Sequence, residues 1–206
     1  MKSRLSLSFL LLMCLACIAR AESVWVEGES AAKTNLVANG WLKGDTKLLS
    51  GGDALACLNN PQNLPSPAFV FWKLTVPADG KYQVYFRHGY QSHTGKMRYR
   101  FITLGADGEP ITQPADDEGW VQFDLSTKVM DRKEIGQFRM IEWTQQALAD
   151  LKTGTYQIEL QVQGPNPSHE AEGDTALIWT VIDCICLTTD PFTPNGTNKP
   201  GEKPAE

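Results

Sequence analysis

Alternating apolar and polar residues run through the middle of the chain and predict β-strands. The clearest case is "TYQIELQV" (155–162), in which every second residue is apolar. The same alternation occurs in "VFWKLTV" (70–76) and "YQVYFR" (82–87), which are separated by the turn sequence "PADGK". Successive side chains of a strand point to opposite faces of a sheet. Each segment is therefore predicted to bury one face.

A longer segment, "TALIWTVIDCICLTT" (175–189), is apolar on both faces and predicts a central strand. The only helix signal lies in "TQQALADLKTG" (144–154), which we expect to form one or two helical turns. Polar loops are predicted at 59–67 and 105–119. Many short strands separated by Gly, Pro, Asn and Asp indicate an all-β fold, a β-sandwich whose first and last strands are neighbours.

The two ends of the chain differ from this pattern. Residues 1–21 have a basic start with Lys2 and Arg4, an apolar run and a final A-x-A sequence, which predicts a cleaved signal peptide. The apolar run is too short for a membrane span. We therefore expect a secreted or periplasmic protein with one domain at 22–190. The polar, proline-containing end at 191–206, whose only core-forming residue is Phe192, predicts a short docked stub followed by a flexible tail.

Charge narrows the range of partners. The whole chain carries a net charge of −5, and loss of the signal peptide leaves 16 of its 19 basic residues against 24 acidic ones. A chain this acidic repels phosphate backbones, and no stretch of sequence forms a basic stripe. Nucleic acid is not expected as a partner.

Three cysteines remain after the predicted cleavage, namely Cys57, Cys184 and Cys186. Export permits a disulfide, but an odd number leaves one thiol unpaired. A bridge from Cys57 to one of the other two and three buried, unpaired thiols are both compatible with the sequence.

Three acids lie in otherwise apolar segments. Glu27 and Glu29 occur in "VWVEGES", where a strand would place them on one face, and Asp183 occurs in "VIDCICL". Carboxylates in such positions need a positive partner, because an unpaired buried charge is costly. A bound calcium ion is one solution, since it prefers oxygen ligands. Pairing with Arg or Lys, or exposure at a strand end, are the others.

These motifs, together with "LSGGDALACL", "VPADGKYQVYFR" and "LADLKTGTYQIELQV", occur in an order that resembles the galactose-binding-like β-sandwiches. The sequence is most similar to carbohydrate-binding modules of the family 6 and family 35 type, over roughly residues 24–188. The resemblance implies a jelly roll with a structural calcium ion. An E-x-E pair on the first strand and an Asp on the last hold that ion in the family, which here implies Glu27, Glu29 and Asp183.

The sugar-binding residues of those modules are matched less well in this sequence than the calcium ligands. A polar residue before their last strand contacts the glycan, whereas this chain has Ala176 and Leu177 there. The candidate ligand-binding residues are the loop aromatics Trp41, Tyr90 and Trp120, because an aromatic ring can stack on the apolar face of a sugar. The alternative is that these rings cap the open end of the sandwich.

No nucleophile and base occur in a recognisable arrangement, so we expect a binding protein rather than an enzyme. "RHG" (87–89) matches a phosphatase tripeptide, but histidine phosphatases are α/β enzymes. The acids of "DDE" (116–118) read as a solvated turn. The favoured function is an exported, non-catalytic module that binds a polysaccharide or other glycan. The alternative is a structural or adhesion module of the cell envelope with a protein partner.

Overall fold

The computed structural model describes residues 22–38, 46–90, 94–125, 127–135, 140–165 and 177–202. The predicted signal peptide, Trp41 and Ala176 lie outside these ranges. Within them the chain forms eleven strands: β1 (Ser23–Glu27), β2 (Lys33–Thr34), β3 (Leu55–Asn59), β4 (Ala68–Val76), β5 (Gly80–Tyr90), β6 (Gly95–Leu104), β7 (Val121–Gln122), β8 (Val129–Glu134), β9 (Met140–Leu151), β10 (Gly154–Pro165) and β11 (Ile178–Thr188).

The strands form two antiparallel sheets. Sheet A has the order β1-β11-β5-β9-β8, and β3 also pairs with β11; sheet B has the order β2-β4-β10-β6-β7. The first and last strands are direct neighbours, with Trp25 opposite Cys186. The prediction of an all-β fold is confirmed, and the two sheets are consistent with a β-sandwich.

The main hydrophobic core contains side chains from both sheets, which is why every second residue of these strands is apolar. Burial of each such side chain contributes about 1.5–3 kcal/mol relative to an exposed one. Its fully buried members include Val84, Phe86, Ile182 and Ile185 from sheet A, and Val70, Trp72, Met97, Ile158 and Leu160 from sheet B.

Strand β11 is the central element of sheet A, as its apolar sequence predicts. All of its residues are buried except Trp179, which is half-buried. The chain leaving β1 crosses β11 very closely at Gly28, where a Cβ atom would lie 1.8 Å from the carbonyl oxygen of Ile182. The Gly28 carbonyl also accepts a 2.9 Å hydrogen bond from Trp72 Nε1. Glycine at this position therefore allows β1 and β11 to pack together.

The predicted helical turns at 144–154 are wrong. Most of that segment belongs to β9, which pairs with β5 on one side and β8 on the other. The ladder of backbone hydrogen bonds with β5, which continues to Leu151, and the burial of Gln146 and Leu151 outweigh the weak helix propensity of the local sequence. The helical segments in the described ranges are three-residue 3-10 turns, and none of them is long and apolar enough to cross a membrane.

The C-terminal segment is packed along the described part of its length. Phe192 contacts Tyr85 and Trp143 edge-to-face, with ring centroids 5.5 and 5.8 Å apart. Trp143 Nε1 donates a 2.7 Å hydrogen bond to the Gly196 carbonyl, and the Gly196 N–H donates to Asp131. Phe192 and Gly196 therefore dock the start of this segment on sheet A, and the flexible tail expected beyond it stays a prediction. Residues 203–206 lie outside the described ranges.

Candidate functional site

Glu27 and Glu29 approach the same backbone turn from different elements. Strand β1 ends at Glu27, and Glu29 belongs to the 3-10 turn Gly28–Ser30, so the expected shared strand face is not formed. A Cβ atom on Gly51 would nevertheless lie 2.9 Å from Glu29 Oε1 and 3.7 Å from Glu27 Cδ. Burial raises the pKa of Glu29, and the nearby charges of Glu27 and Asp53 raise it further.

Glu27 is only partly compensated. Its Oε1 atom accepts a 3.0 Å hydrogen bond from Trp25 Nε1 and lies 3.6 Å from Lys199 Nζ. Its Oε2 atom is buried and has no hydrogen-bond partner among the described residues. A buried carboxylate oxygen without a partner is costly, so this atom is the one most in need of a positive group.

Asp183 already has a positive partner. It is fully buried in β11, and Arg87 Nη1 donates a 2.6 Å hydrogen bond to its Oδ2 atom. The Ser50 backbone N–H donates to Oδ1 at 2.9 Å, and Arg87 Nη1 also lies 2.6 Å from the Leu48 carbonyl. Burial raises the pKa of Asp183 to about 6, against the opposing effect of Arg87. Both oxygens of this carboxylate are engaged.

These contacts test whether the three acids suit the calcium ion that the resemblance implies. Calcium takes six to eight oxygen ligands, supplied by carboxylates, carbonyls and water. Glu27 and Glu29 suit it, whereas Asp183 does not, because a guanidinium and a backbone N–H already hold it. No three His, Cys, Asp or Glu side chains in the described ranges are grouped to hold a metal. Asp183 thus follows the alternative of pairing with an arginine.

The two predicted aromatic ligand residues that the structure describes, Tyr90 and Trp120, are carried by different sheets. Tyr90 is the last residue of β5 in sheet A and packs against the main core, with the Arg132 guanidinium 5.4 Å from its ring centre. Trp120 directly precedes β7 in sheet B. Trp41 lies outside the described residues.

Trp120 lies against two arginines of β6. The guanidinium carbons of Arg98 and Arg100 are 4.2 and 4.3 Å from its ring centre. Its Nε1 atom donates a 2.7 Å hydrogen bond to the Asp116 carbonyl, which ties the ring to the preceding loop. The indole is half-buried, so part of it remains accessible.

The outward side of sheet B carries ordered rows of planar side chains. In register across three strands, Glu159 lies between Phe71 and Arg100, and Gln161 lies between Phe69 and Arg98. Arg100 Nε donates to Glu159 at 2.8 Å, and Arg98 Nε donates to Gln161 at 2.6 Å. The two phenyl rings are stacked 4.4 Å apart. This face therefore combines aromatic rings with fixed hydrogen-bonding groups.

A groove of about 650 Å³ follows this face, and we call it the sheet B groove. It is lined by residues of β6 and β10, by the loops before β4 and β7, and by Ile178 of β11 in sheet A. Its lining residues are Pro61, Leu64, Pro65, Ser66, Pro67, Ala68, Arg98, Arg100, Asp116, Trp120, Glu159, Gln161, Val162, Gln163, Gly164, Pro165 and Ile178.

Of the predicted ligand residues that the structure describes, only Trp120 lines this groove. The arginines beside it were not predicted, although the alternation in "MRYRF" (97–101) places Arg98 and Arg100 on one strand face. The same alternation in β10 places Glu159 and Gln161 on one strand face. What the sequence does not show is that β6 and β10 are neighbours.

A second group of ionisable side chains is enclosed in sheet A. His88 Nε2 lies 3.8 Å from Glu142 Oε1, both side chains are fully buried, and neither atom has a hydrogen-bond partner among the described residues. Burial lowers the pKa of His88 to about 4 and raises that of Glu142, whose other oxygen accepts a 2.6 Å hydrogen bond from Arg132. The "RHG" tripeptide is thus part of a buried strand.

The sequence was also compared with known proteins. No protein-family model matches the chain, and no curated protein sequence is significantly similar to it. The two-sheet fold agrees with the resemblance to galactose-binding-like modules at the level of all-β architecture, and the finer family assignment has no support from these comparisons.

Proposed function

We propose that this protein is a non-catalytic binding module that holds a polysaccharide chain in the sheet B groove. The observation that carries the proposal is the composition of that groove. Its lining combines the accessible part of Trp120 with two guanidinium groups and with the side chains of Glu159 and Gln161. Binding sites typically combine an apolar surface with a few polar groups that fix the orientation of the ligand.

Sugar rings match this lining chemically. Each ring has an apolar C–H surface and a rim of hydroxyl groups, which act as both donors and acceptors. Glutamine side chains offer a donor and an acceptor together, and a guanidinium offers several donors in one plane. Because the groove runs over β6 and β10 rather than ending in a closed cavity, it suits part of a chain. In line with the predicted signal peptide, the proposed partner is a polysaccharide outside the cytoplasm.

A calcium ion held by Glu27 and Glu29 belongs to the same proposal as a structural element. The support is the buried, unpartnered Oε2 atom of Glu27 and the closeness of both carboxyl groups to Gly51. Backbone carbonyls and water would complete its oxygen shell. The ion would stabilise the junction of β1 with the following turn, and neither carboxylate lines the groove.

The test is affinity electrophoresis of the full chain through gels that contain a panel of soluble neutral and acidic polysaccharides. We expect at least one polysaccharide to retard the wild type and Trp120→Ala to lose most of that retardation. Leu148→Ala, an exposed apolar residue of sheet A, is the matched control and should behave as the wild type. Melting curves of each variant monitor folding. No retardation by any polysaccharide, or full retardation of a folded Trp120→Ala variant, would contradict the proposal.

A further inference from the structure

The outward side of sheet B is basic, although the chain as a whole carries a net charge of −5. In β6, Met97 and Tyr99 face the core. The alternating positions Lys96, Arg98 and Arg100 therefore face outward. The same alternation applies to β4 and β10. The outward strand positions carry one acid, Glu159, and five basic residues, namely Lys33, Lys73, Lys96, Arg98 and Arg100.

Two of these cations are committed to the protein itself. Arg100 is buried, bonds Glu159, and donates to the carbonyls of Ala115 and Glu118 at 2.8 and 3.1 Å. The Lys73 ammonium donates to the Gly108 carbonyl at 3.0 Å. The charge of Arg100 is therefore balanced by Glu159, and Lys73 is tied to the neighbouring loop and does not line the sheet B groove.

Arg98 is different, because no acid among the described residues forms an ion pair with it. Its side-chain hydrogen bond goes to the neutral side chain of Gln161. It is half-exposed and lines the sheet B groove. Of the two cations in the groove, Arg98 is therefore the one available to an anion.

The guanidinium of Arg98 is also held in a fixed orientation. It stacks 4.2 Å from the centre of the Trp120 ring, and the bond from Nε to Gln161 fixes its plane. A guanidinium held through Nε keeps its terminal nitrogens for a ligand, and such a fork matches a carboxylate or sulfate with two hydrogen bonds. Because the side chain is already ordered, binding costs less conformational entropy.

We propose that the sheet B groove selects an anionic polysaccharide and that Arg98 contacts its carboxylate or sulfate group. This inference rests on the proposed function and names the class of ligand. Asp116 lines the same groove, and its exposed carboxylate opposes an anion. The acidic group of the ligand therefore lies at the Arg98 side of the groove, and the two side chains influence binding with opposite sign.

The experiment measures binding of the full chain to pairs of polysaccharides that differ only in charge. Polygalacturonate is compared with its methyl-esterified form, and dextran sulfate with dextran. We expect tighter binding of a charged member than of its neutral partner, and the two pairs distinguish a carboxylate from a sulfate ligand. Raising the salt concentration from about 50 to about 500 mM should weaken that binding, because screening reduces the attraction.

Two variants with opposite expected effects make the test specific. Arg98→Gln should weaken binding of the charged polysaccharide about tenfold and remove most of its salt dependence, whereas Asp116→Asn should strengthen it severalfold. Neither substitution should change binding of the neutral partner by as much. If Arg98→Gln does not fold, Arg98→Lys takes its place in the experiment. The lysine keeps the charge but lacks the planar fork of donors.

Three outcomes would overturn the inference. Equal binding of charged and neutral partners, with no effect of either variant, would leave the groove a neutral-glycan site and the proposed function intact. Binding of an oligothymidylate as tightly as the best polysaccharide would assign the basic face to single-stranded nucleic acid. Binding of no polysaccharide at all would refute the proposed function itself, together with this inference.

Discussion

The side chains of Arg87 and Asp183 form a buried ion pair between β5 and β11. Asp183→Asn removes the counter-charge of a guanidinium that is 1% exposed. We expect this change to lower the free energy of unfolding by about 3–5 kcal/mol, the usual cost of leaving a buried charge unpaired. Urea denaturation should show the same loss in chelator and in calcium. Asp150→Asn, at an exposed position of β9, is the control, and a loss seen only in calcium would instead make Asp183 a metal ligand.

A substitution of Glu27, in contrast, should lower stability only when calcium is present. Without a bound metal ion the Glu27 carboxylate lies close to that of Glu29, so Glu27→Gln should be no less stable than the wild type in chelator. With calcium at a hundredfold excess over its dissociation constant, the wild type should gain about 2.7 kcal/mol and the variant much less. Magnesium should have a smaller effect, because it requires a stricter geometry. Melting curves in each medium measure this, and identical curves for the wild type with and without calcium would exclude the ion.

The lowered pKa of His88 predicts that the free energy of unfolding depends on pH. Its folded-state pKa of about 4 is below its ordinary value of 6.5, so the unfolded chain binds more protons between these values. The contribution of neutral His88 is therefore complete above pH 6.5 and is lost as the pH falls towards 4, by an amount on the order of 3 kcal/mol. Glu142, whose pKa is raised, acts in the opposite direction.

A comparison of variants separates these two effects. His88→Gln retains Glu142, so the wild type should lose more stability than His88→Gln as the pH falls from 6.5 to 4. Urea denaturation at several pH values gives both curves. Parallel curves would show that His88 does not titrate in this range.

For single residues, the sequence shows which charged side chains need a partner but not which residue that partner is. Asp183 stands out as an acid in an apolar strand, and its need for a positive charge follows from burial. Arg87 is 96 residues away in the chain. Only the register of β5 against β11 brings the two together, and no local pattern states that register.

Among the elements, alternation was informative where one face of a strand is buried and the other exposed. Strands β4 and β10 follow it closely, and β11 shows the unbroken apolar run of a central strand. β9 was misread because its second half contains good helix formers such as Ala147 and Leu148. The conformation of this half is decided by its pairing with β5, a tertiary effect that local propensity does not include.

A single substitution tests whether the C-terminal segment is docked on sheet A. Phe192→Ala removes the ring that packs against Tyr85 and Trp143, and we expect a loss of about 1–3 kcal/mol in the free energy of unfolding because the ring is half-buried. The neighbouring exposed residue provides the control variant Thr193→Ala, which should be close to neutral. Denaturation of both variants measures the difference, and a neutral Phe192→Ala would indicate that the segment is not docked in solution.

At the scale of the whole molecule, the distribution of charge could not be read from the order of residues. The basic residues of the sheet B face come from three strands, β2, β4 and β6, which are far apart in sequence and are brought side by side by pairing with β4 and β10. The overall charge of −5 correctly describes the molecule but not this face. A basic stripe is visible in sequence only when it follows one helix or one loop, whereas here the sheet assembles it.

The three described cysteines report on the unfolding of the whole domain. Cys57 lies in β3 and Cys184 and Cys186 in β11; all are unpaired and fully buried. Burial raises the pKa of Cys57 to about 11 and that of Cys186 to about 12, and it also raises that of Cys184. Because the thiolate is the reactive form, native protein should react very slowly with iodoacetamide near pH 8.

As urea is added, all three thiols should become reactive together, at the midpoint at which circular dichroism loses its β-sheet signal. The reason is that β3 pairs directly with β11, so neither strand can open without disturbing the centre of sheet A. Mass spectrometry of peptides assigns the label to each cysteine and separates it from Cys14 and Cys17 of the predicted signal peptide. Labelling of Cys57 well before the other two would show that β3 opens independently. A failure of two of these thiols to react in denatured, unreduced protein would reveal a disulfide between them, and the sheet would then owe part of its stability to a covalent link.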